Sequence, residues 1–301
     1  MMVNEFDIAL NGFINDLDSD HCSQSTKKAY RSDMELFGEF LGLRYNSLLN
    51  NLMAMKTSHV IQYKDFLFHQ KGFEKRTADR KFFSFRAFCK YLKLAGFIEM
   101  NPALEVKHRK YKNKKAPNYL EWEEIFLIID MAVMYEKENA ARNVAILSIL
   151  AYIGCRRSEV LYLDWKDINF DKETITIYRE KTDTYDYLPM HPNLLKALKR
   201  YYAENRFKPQ GPLFLSERGN RLSVTAFKQM FDRVVAYSGI KKDFEITPHT
   251  FRHAFISNMI REGASIAEVQ QYTGHSDLGS LQVYVHMDTK HKKSLLSKIP
   301  A

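Results

Sequence analysis

Cysteine is scarce in this chain: Cys22, Cys89 and Cys155 are the only three, with no CxxC pair and no even set. That excludes a disulfide framework and points to free thiols in a reducing cytoplasm. Long apolar runs are absent as well. No stretch approaches the run of about 20 apolar residues that a membrane helix needs. Met1 to Leu10 carries acids and no apolar core, so no secretory signal is expected there. Internal repeats and long low-complexity segments are also lacking.

What is present is positive charge. Lys and Arg number 45 against 36 Asp and Glu, a formal net charge of +9 with a pI near 9.2. Such a balance favours a polyanionic partner, nucleic acid before membrane. Apolar residues make up 45% of the 301 positions, enough for a core, and the length suits two domains.

The first hundred residues read as helices. One is expected over Phe6 to Leu17. Ser23, Ser25 and Thr26 offer caps for a second that runs to Leu41, whose apolar positions Tyr30, Met34, Phe37, Phe40 and Leu41 recur at three and four. Lys27, Lys28 and Arg31 in its first half oppose the helix dipole, so they are either solvated or turned to phosphates. A third helix is expected from Ser58 to Gln70 and a fourth from Lys75 to Leu94. The fourth carries Phe85, Phe88 and Leu92 on one face and Arg76, Arg80, Arg86 and Lys90 on others. Asn101-Pro102 ends this part, because the residue before proline is pushed out of the helical region.

From Lys107 to Lys115, six of nine positions are Lys or Arg. A run of that kind repels itself into an extended linker. It is either a solvated tether or a strap along a phosphate backbone. The domain plan is therefore a helical domain over 1–104, a basic linker over 105–118 and a second domain over 119–301.

The second domain centres on the apolar helix Ala140 to Ile153, closed by Gly154. Arg156 and Arg157 follow at its edge, where a guanidinium needs a counterion: Glu159 or a phosphate. Thr174 to Arg179 and Tyr185 to Pro189 read as paired strands, with Lys181 in the turn. Leu194 to Glu204 and Ser223 to Ile240 are further helices.

The stretch from Thr247 to His286 concentrates the polar chemistry. Thr247-Pro248 is a helix start. His249 and Arg252, three apart, share a face in the first turn, where free N–H groups and the dipole favour an anion. A second short helix stops at Gly274, so His275 lies just past a helix end, and Tyr284 follows nine positions later.

His-x-x-Arg, Gly-His and then Tyr, carried by TPHTFRH, GHSD and VYVH, resemble the C-terminal signature of the tyrosine recombinase (phage integrase) family. Gly154-Cys-Arg-Arg-Ser-Glu159 resembles its Gly-x-Arg-x-Ser-Glu box, which selects Arg156 as the first catalytic arginine. The family places a catalytic lysine in a hairpin turn, and counting back from Leu188-Pro189 selects Lys181, although this turn lacks the usual glycines. The resemblance implies a mainly α fold with a small antiparallel β-hairpin or sheet. It would comprise an all-helical N-terminal core-binding (SAM-like) domain and an α+β catalytic domain. Arg156, Lys181, His249, Arg252, His275 and Tyr284 would be the catalytic set, double-stranded DNA the substrate and a 3′-phosphotyrosyl bond the intermediate. Neither cofactor nor metal is called for. A tetramer on DNA, joined by C-terminal tails packing on neighbouring protomers, is implied as well.

The chemistry stands beside the resemblance. A phenol with a pKa near 10 must lose its proton to attack a phosphodiester, and it needs cations to draw it there. His249 would take the proton. Arg156 and Arg252 would hold the non-bridging oxygens, His275 would donate to the phosphate, and Lys181 would protonate the leaving 5′ oxygen. Three rivals are open at this stage. His249 and His253, four apart, could ligate a metal, but HTFRH lacks the glutamate of HExxH. A relaxing topoisomerase would use the same tyrosine. A non-catalytic DNA-binding or architectural protein would keep only the basic surface.

Overall fold

The computed structural model describes residues 4–19, 22–107, 117–180, 182–204, 210–274 and 281–285. The backbone divides into two compact units, 1–112 and 113–301.

The first unit is helical: α1 (Glu5–Ser19), α2 (Gln24–Arg44), α3 (Thr57–Asp65) and α4 (Lys75–Leu94). The expected N-cap of α2 is in place, with Ser23 Oγ accepting the Thr26 N–H at 3.2 Å. The third helix differs in detail. Its last turn, Phe66–Gln70, is a π-helical turn that packs Phe66 and Leu67 inward. The core is aromatic. Phe37 meets Phe85 at 4.6 Å and Tyr63 at 4.8 Å between ring centroids, tilted or edge-on as ring quadrupoles prefer.

Some of the basic residues here are committed within the protein. Lys27 is buried and ion-paired with Asp18. Arg80 and Lys81 converge on the buried carboxylate of Asp33 at 2.6 and 2.8 Å, joined by Ser84 Oγ at 2.7 Å. Burial alone would raise the pKa of Asp33, but these bonds outweigh it and hold the carboxyl below its usual value.

The second unit contains α5 (Trp122–Tyr135), α6 (Ala140–Ile153), α7 (Arg157–Tyr162), α8 (Pro192–Glu204), α9 (Val224–Ser238), α10 (Pro248–Arg261), α11 (Ile266–Thr273) and α12 (Gln282–Val285). Among the described residues its strands are β1 (Ile168–Asn169), β2 (Thr174–Arg179) and β3 (Thr184–Pro189). They form an antiparallel sheet in the order β1-β2-β3, with Ile175 opposite Leu188 and Ile177 opposite Asp186. β1 is too short to show in the sequence pattern.

The expected central helix is α6. It is apolar nearly all round and lies among α5, α8 and α10, as a helix without a solvent face must. Gly154 ends it at φ 65°, and a Cβ there would meet Phe255 Cδ1 at 2.4 Å. Only glycine gives both the left-handed turn and the close approach of α10.

Candidate active site

Two helix starts supply the cationic groups. α7 begins with Arg156 as its cap residue, whose N–H donates to Glu159 Oε2 at 2.7 Å while its Nη1 donates to Oε1 of the same carboxylate at 2.7 Å. Glu159 is therefore the counterion of Arg156. Arg157, beside it, is exposed. α10 begins at Pro248 after Thr247, whose N–H is taken by Thr250 Oγ1 at 3.2 Å. This start places His249 at the second position of the helix and Arg252 one turn further on.

Arg252 is buried, with Nη1 donating to the Gly154 carbonyl and Nη2 to the Thr273 carbonyl, each at 2.7 Å. Burial above all, and then the charge of Arg156, brings its pKa down to about 10, which still leaves it a cation at neutral pH.

The C-terminal end of α11 gathers the arginines. Gly274 turns the chain at φ 59°. The carbonyls of Tyr272, Thr273 and Gly274 accept, in order, from Arg179 at 2.6 Å, Arg252 at 2.7 Å and Arg156 at 3.5 Å. A helix C-terminus carries partial negative charge, so it suits cations. Three guanidinium groups are thereby collected from β2, α10 and the α6–α7 turn.

A cleft of about 370 Å³ opens between the starts of α7 and α10 and the side of α9, lined among others by Arg156, Arg157, Lys228, Asp232, Glu245 and His249. His249 is exposed to it. Partial loss of hydration, then the charges of Arg252, Arg156 and Arg157, lower the pKa of His249, so it is neutral at pH 7 and free to accept a proton.

Tyr284 lies on α12 and is 5% exposed, with its ring among Phe255, Ile256, Ile260, Val269 and Leu281. Burial pushes its pKa up to about 12, against a smaller opposing pull from Arg252. The hydroxyl is hydrogen-bonded to Nδ1 of His253, the residue after Arg252. Burial, followed by His249 and Arg252, brings the pKa of His253 down to about 4.

Arg156, His249, Arg252 and Tyr284 are thus brought to one end of α10 and α11, whereas Lys181 and His275 lie outside the described residues. Two neighbours were not read as site residues from sequence. His253 entered only as a metal partner of His249, though its spacing put it on the same helix face. Arg179 carried a signal too: Ile175, Ile177 and Arg179 alternate inward on β2, so the arginine takes a core position. Among the described residues no group of three or more His, Cys, Asp or Glu is placed to hold a metal ion, nor is any helix long and apolar enough to cross a membrane.

A mainly helical two-unit chain with arginines from separate elements beside a tyrosine on a short C-terminal helix is the plan of a DNA strand-transfer enzyme. Residues 118–291 match the model of the phage integrase family. The chain is 31% identical over 279 residues to tyrosine recombinase XerC of Thermodesulfovibrio yellowstonii, covering 89% of this chain and 88% of that protein. It is 28% identical to tyrosine recombinase XerC of Oceanobacillus iheyensis, covering 98% and 97%. In fold it is similar to the crystal structure of the XerH site-specific recombinase bound to palindromic difH substrate, with a TM-score of 0.75 at 20% identity over 92% of this chain and 81% of that one. The chain belongs to the phage integrase family, and with it to the tyrosine recombinases, enzymes of site-specific recombination.

Proposed function

We propose that this enzyme cuts and rejoins double-stranded DNA through a covalent bond between Tyr284 and a 3′ phosphate. The phenol oxygen attacks the scissile phosphorus as the bond to the 5′ oxygen breaks. His249 takes the phenolic proton, and Lys181 gives a proton to the departing 5′ oxygen. Arg156 and Arg252 hold the non-bridging oxygens, whose charge is greatest in the pentavalent transition state, and His275 adds a hydrogen bond. The phosphotyrosyl bond keeps the energy of the bond it replaced. A 5′ hydroxyl from another strand can therefore reverse the step and join a new partner. His253 holds the phenol before attack.

The observation that carries this reading is the hydrogen bond between Tyr284 and His253, which supports a phenol held against the helix that carries Arg252 and His249. The cleft lined by Arg156, Arg157, Lys228 and His249 supports a polyanionic substrate, as does the net charge of +9. Relatives in fold were solved on DNA, including lambda integrase on its COC′ core site. The same reading includes a core-binding DNA-binding domain over 1–104, a basic strap over 105–118 and a catalytic domain over 119–301. It also includes a cytoplasmic tetramer on DNA, joined through the C-terminal tails.

A nicked suicide duplex tests it. Once the strand is cut, the short fragment diffuses away and the enzyme stays attached. Wild type is expected to form the adduct and Tyr284→Phe to bind without forming it. Binding with no adduct in wild type would leave an architectural DNA-binding protein.

A further inference from the structure

Arg179 has no part in the chemistry above, yet its guanidinium is 1% exposed and fully engaged. Nε donates to Asp186 Oδ2 at 2.7 Å, Nη1 to Glu159 Oε2 at 2.8 Å and Nη2 to the Tyr272 carbonyl at 2.6 Å. The three acceptors belong to β3, α7 and the end of α11. Glu159 is saturated in turn, since it also takes the N–H and Nη1 of Arg156. Gly274 lies against the same guanidinium, where a Cβ would stand 2.7 Å from Nε. Burial opposes the charge on Arg179 most strongly, but Glu159, Cys155 and Asp186 together outweigh it, and the pKa rises.

Buried ion clusters seldom add stability over an apolar replacement of similar volume. The gain here is geometric. A planar fork with three separately aimed donors is something only arginine supplies. We propose that Arg179 is a positioning residue for the phosphate clamp, holding Glu159 and the end of α11 together so that the Arg156 guanidinium stands in one place. It acts through Glu159, which presents its other oxygen to Arg156, and through α11, whose last carbonyls also receive Arg252 and Arg156. The proposal rests on Arg156 being a phosphate ligand.

A double-mutant cycle on single-turnover cleavage of a nicked duplex tests it, because residues that act as a unit are non-additive. Arg179→Met alone is expected to slow cleavage by about 10², the scale of one lost transition-state donor. On an Arg156→Ala background the same change is expected to slow it no further than about threefold. Wild-type cleavage in Arg179→Met would overturn the proposal. So would an equal loss in both backgrounds, the mark of a residue that only supports the fold. Wild-type cleavage in Arg156→Ala alone would sink the clamp itself, a distinct failure. If Arg179→Met does not fold, Arg179→Lys keeps a charge beside Glu159 but cannot reach three acceptors. It is expected to slow cleavage by about tenfold with the same loss of effect on Arg156→Ala, and additivity would again overturn the proposal.

Discussion

The hydroxyl of Tyr284 is hydrogen-bonded to Nδ1 of His253, so the proposed nucleophile is held, buried, against the residue that follows Arg252 on α10. The arrangement keeps the phenol out of water and near its place of use. It also makes the titration of Tyr284 diagnostic. With Tyr labelled at Cζ with carbon-13 and the Tyr284 signal assigned by difference against Tyr284→Phe, that signal is expected to stay unshifted through pH 10 and to move near pH 12. A transition at the ordinary value near 10 would mean the ring is solvated.

His253 gives a stability slope with a definite sign. Its pKa falls from 6.5 to about 4 on folding, so between these values the unfolded chain binds more protons. The native state is then undisturbed above pH 6.5 and loses stability as pH falls from 6.5 towards 4. His253→Gln removes that contribution, so its urea midpoint is expected to fall less than that of wild type between pH 7 and 4.5. Parallel curves would contradict the buried neutral imidazole.

The two clamp arginines should separate in stability but not in activity. Arg252→Ala takes a donor from the buried Gly154 and Thr273 carbonyls, a loss of about 1–3 kcal/mol. Arg156 is partly exposed and bonds chiefly to Glu159 within its own turn, so Arg156→Ala should unfold at a urea midpoint closer to wild type. Both are expected to slow cleavage by about 10² to 10³. Equal destabilisation, or wild-type cleavage in either, would refute this division.

Gly154→Ala probes the joint between α6 and α10. The methyl group would require a left-handed alanine and would press on Phe255. A loss of about 1–3 kcal/mol is expected in urea unfolding. An unchanged midpoint would show that α10 can retreat without cost.

Local pattern revealed much of this fold. The apolar run of α6 ends at a glycine, α4 begins and ends where its periodicity does, and β2 alternates. Each is a signal carried by neighbours in sequence. The ion pairs were hidden for the complementary reason. Arg80 and Lys81 find Asp33 across more than forty residues, Lys27 finds Asp18 from another helix, and a basic residue bound inside the protein looks in sequence like one turned to DNA. The site divides in the same way. Arg156, His249, Arg252 and Tyr284 stand in short motifs. His253 and Arg179 take their meaning from groups 31 and 93 residues away that only folding brings beside them.

Asp33 shows what the hidden pairs contribute. Asp33→Ala would strand Lys81 and Arg80, and because Arg80 is half-exposed the loss is expected at about 3 kcal/mol, the low end for a broken buried pair. Chemical unfolding of the full chain, wild type against Asp33→Ala, followed by circular dichroism, measures it. A change below about 1 kcal/mol would mean the cluster is only as strong as a surface pair.

The most direct measurement is to isolate the protein–DNA adduct from a nicked duplex, digest it and sequence the cross-linked peptide by mass spectrometry. The DNA is expected on Tyr284 through a 3′ phosphate, with a free 5′ hydroxyl on the released strand and no adduct from Tyr284→Phe. Attachment at another residue, a 5′ linkage, or an adduct that survives Tyr284→Phe would contradict the proposed chemistry.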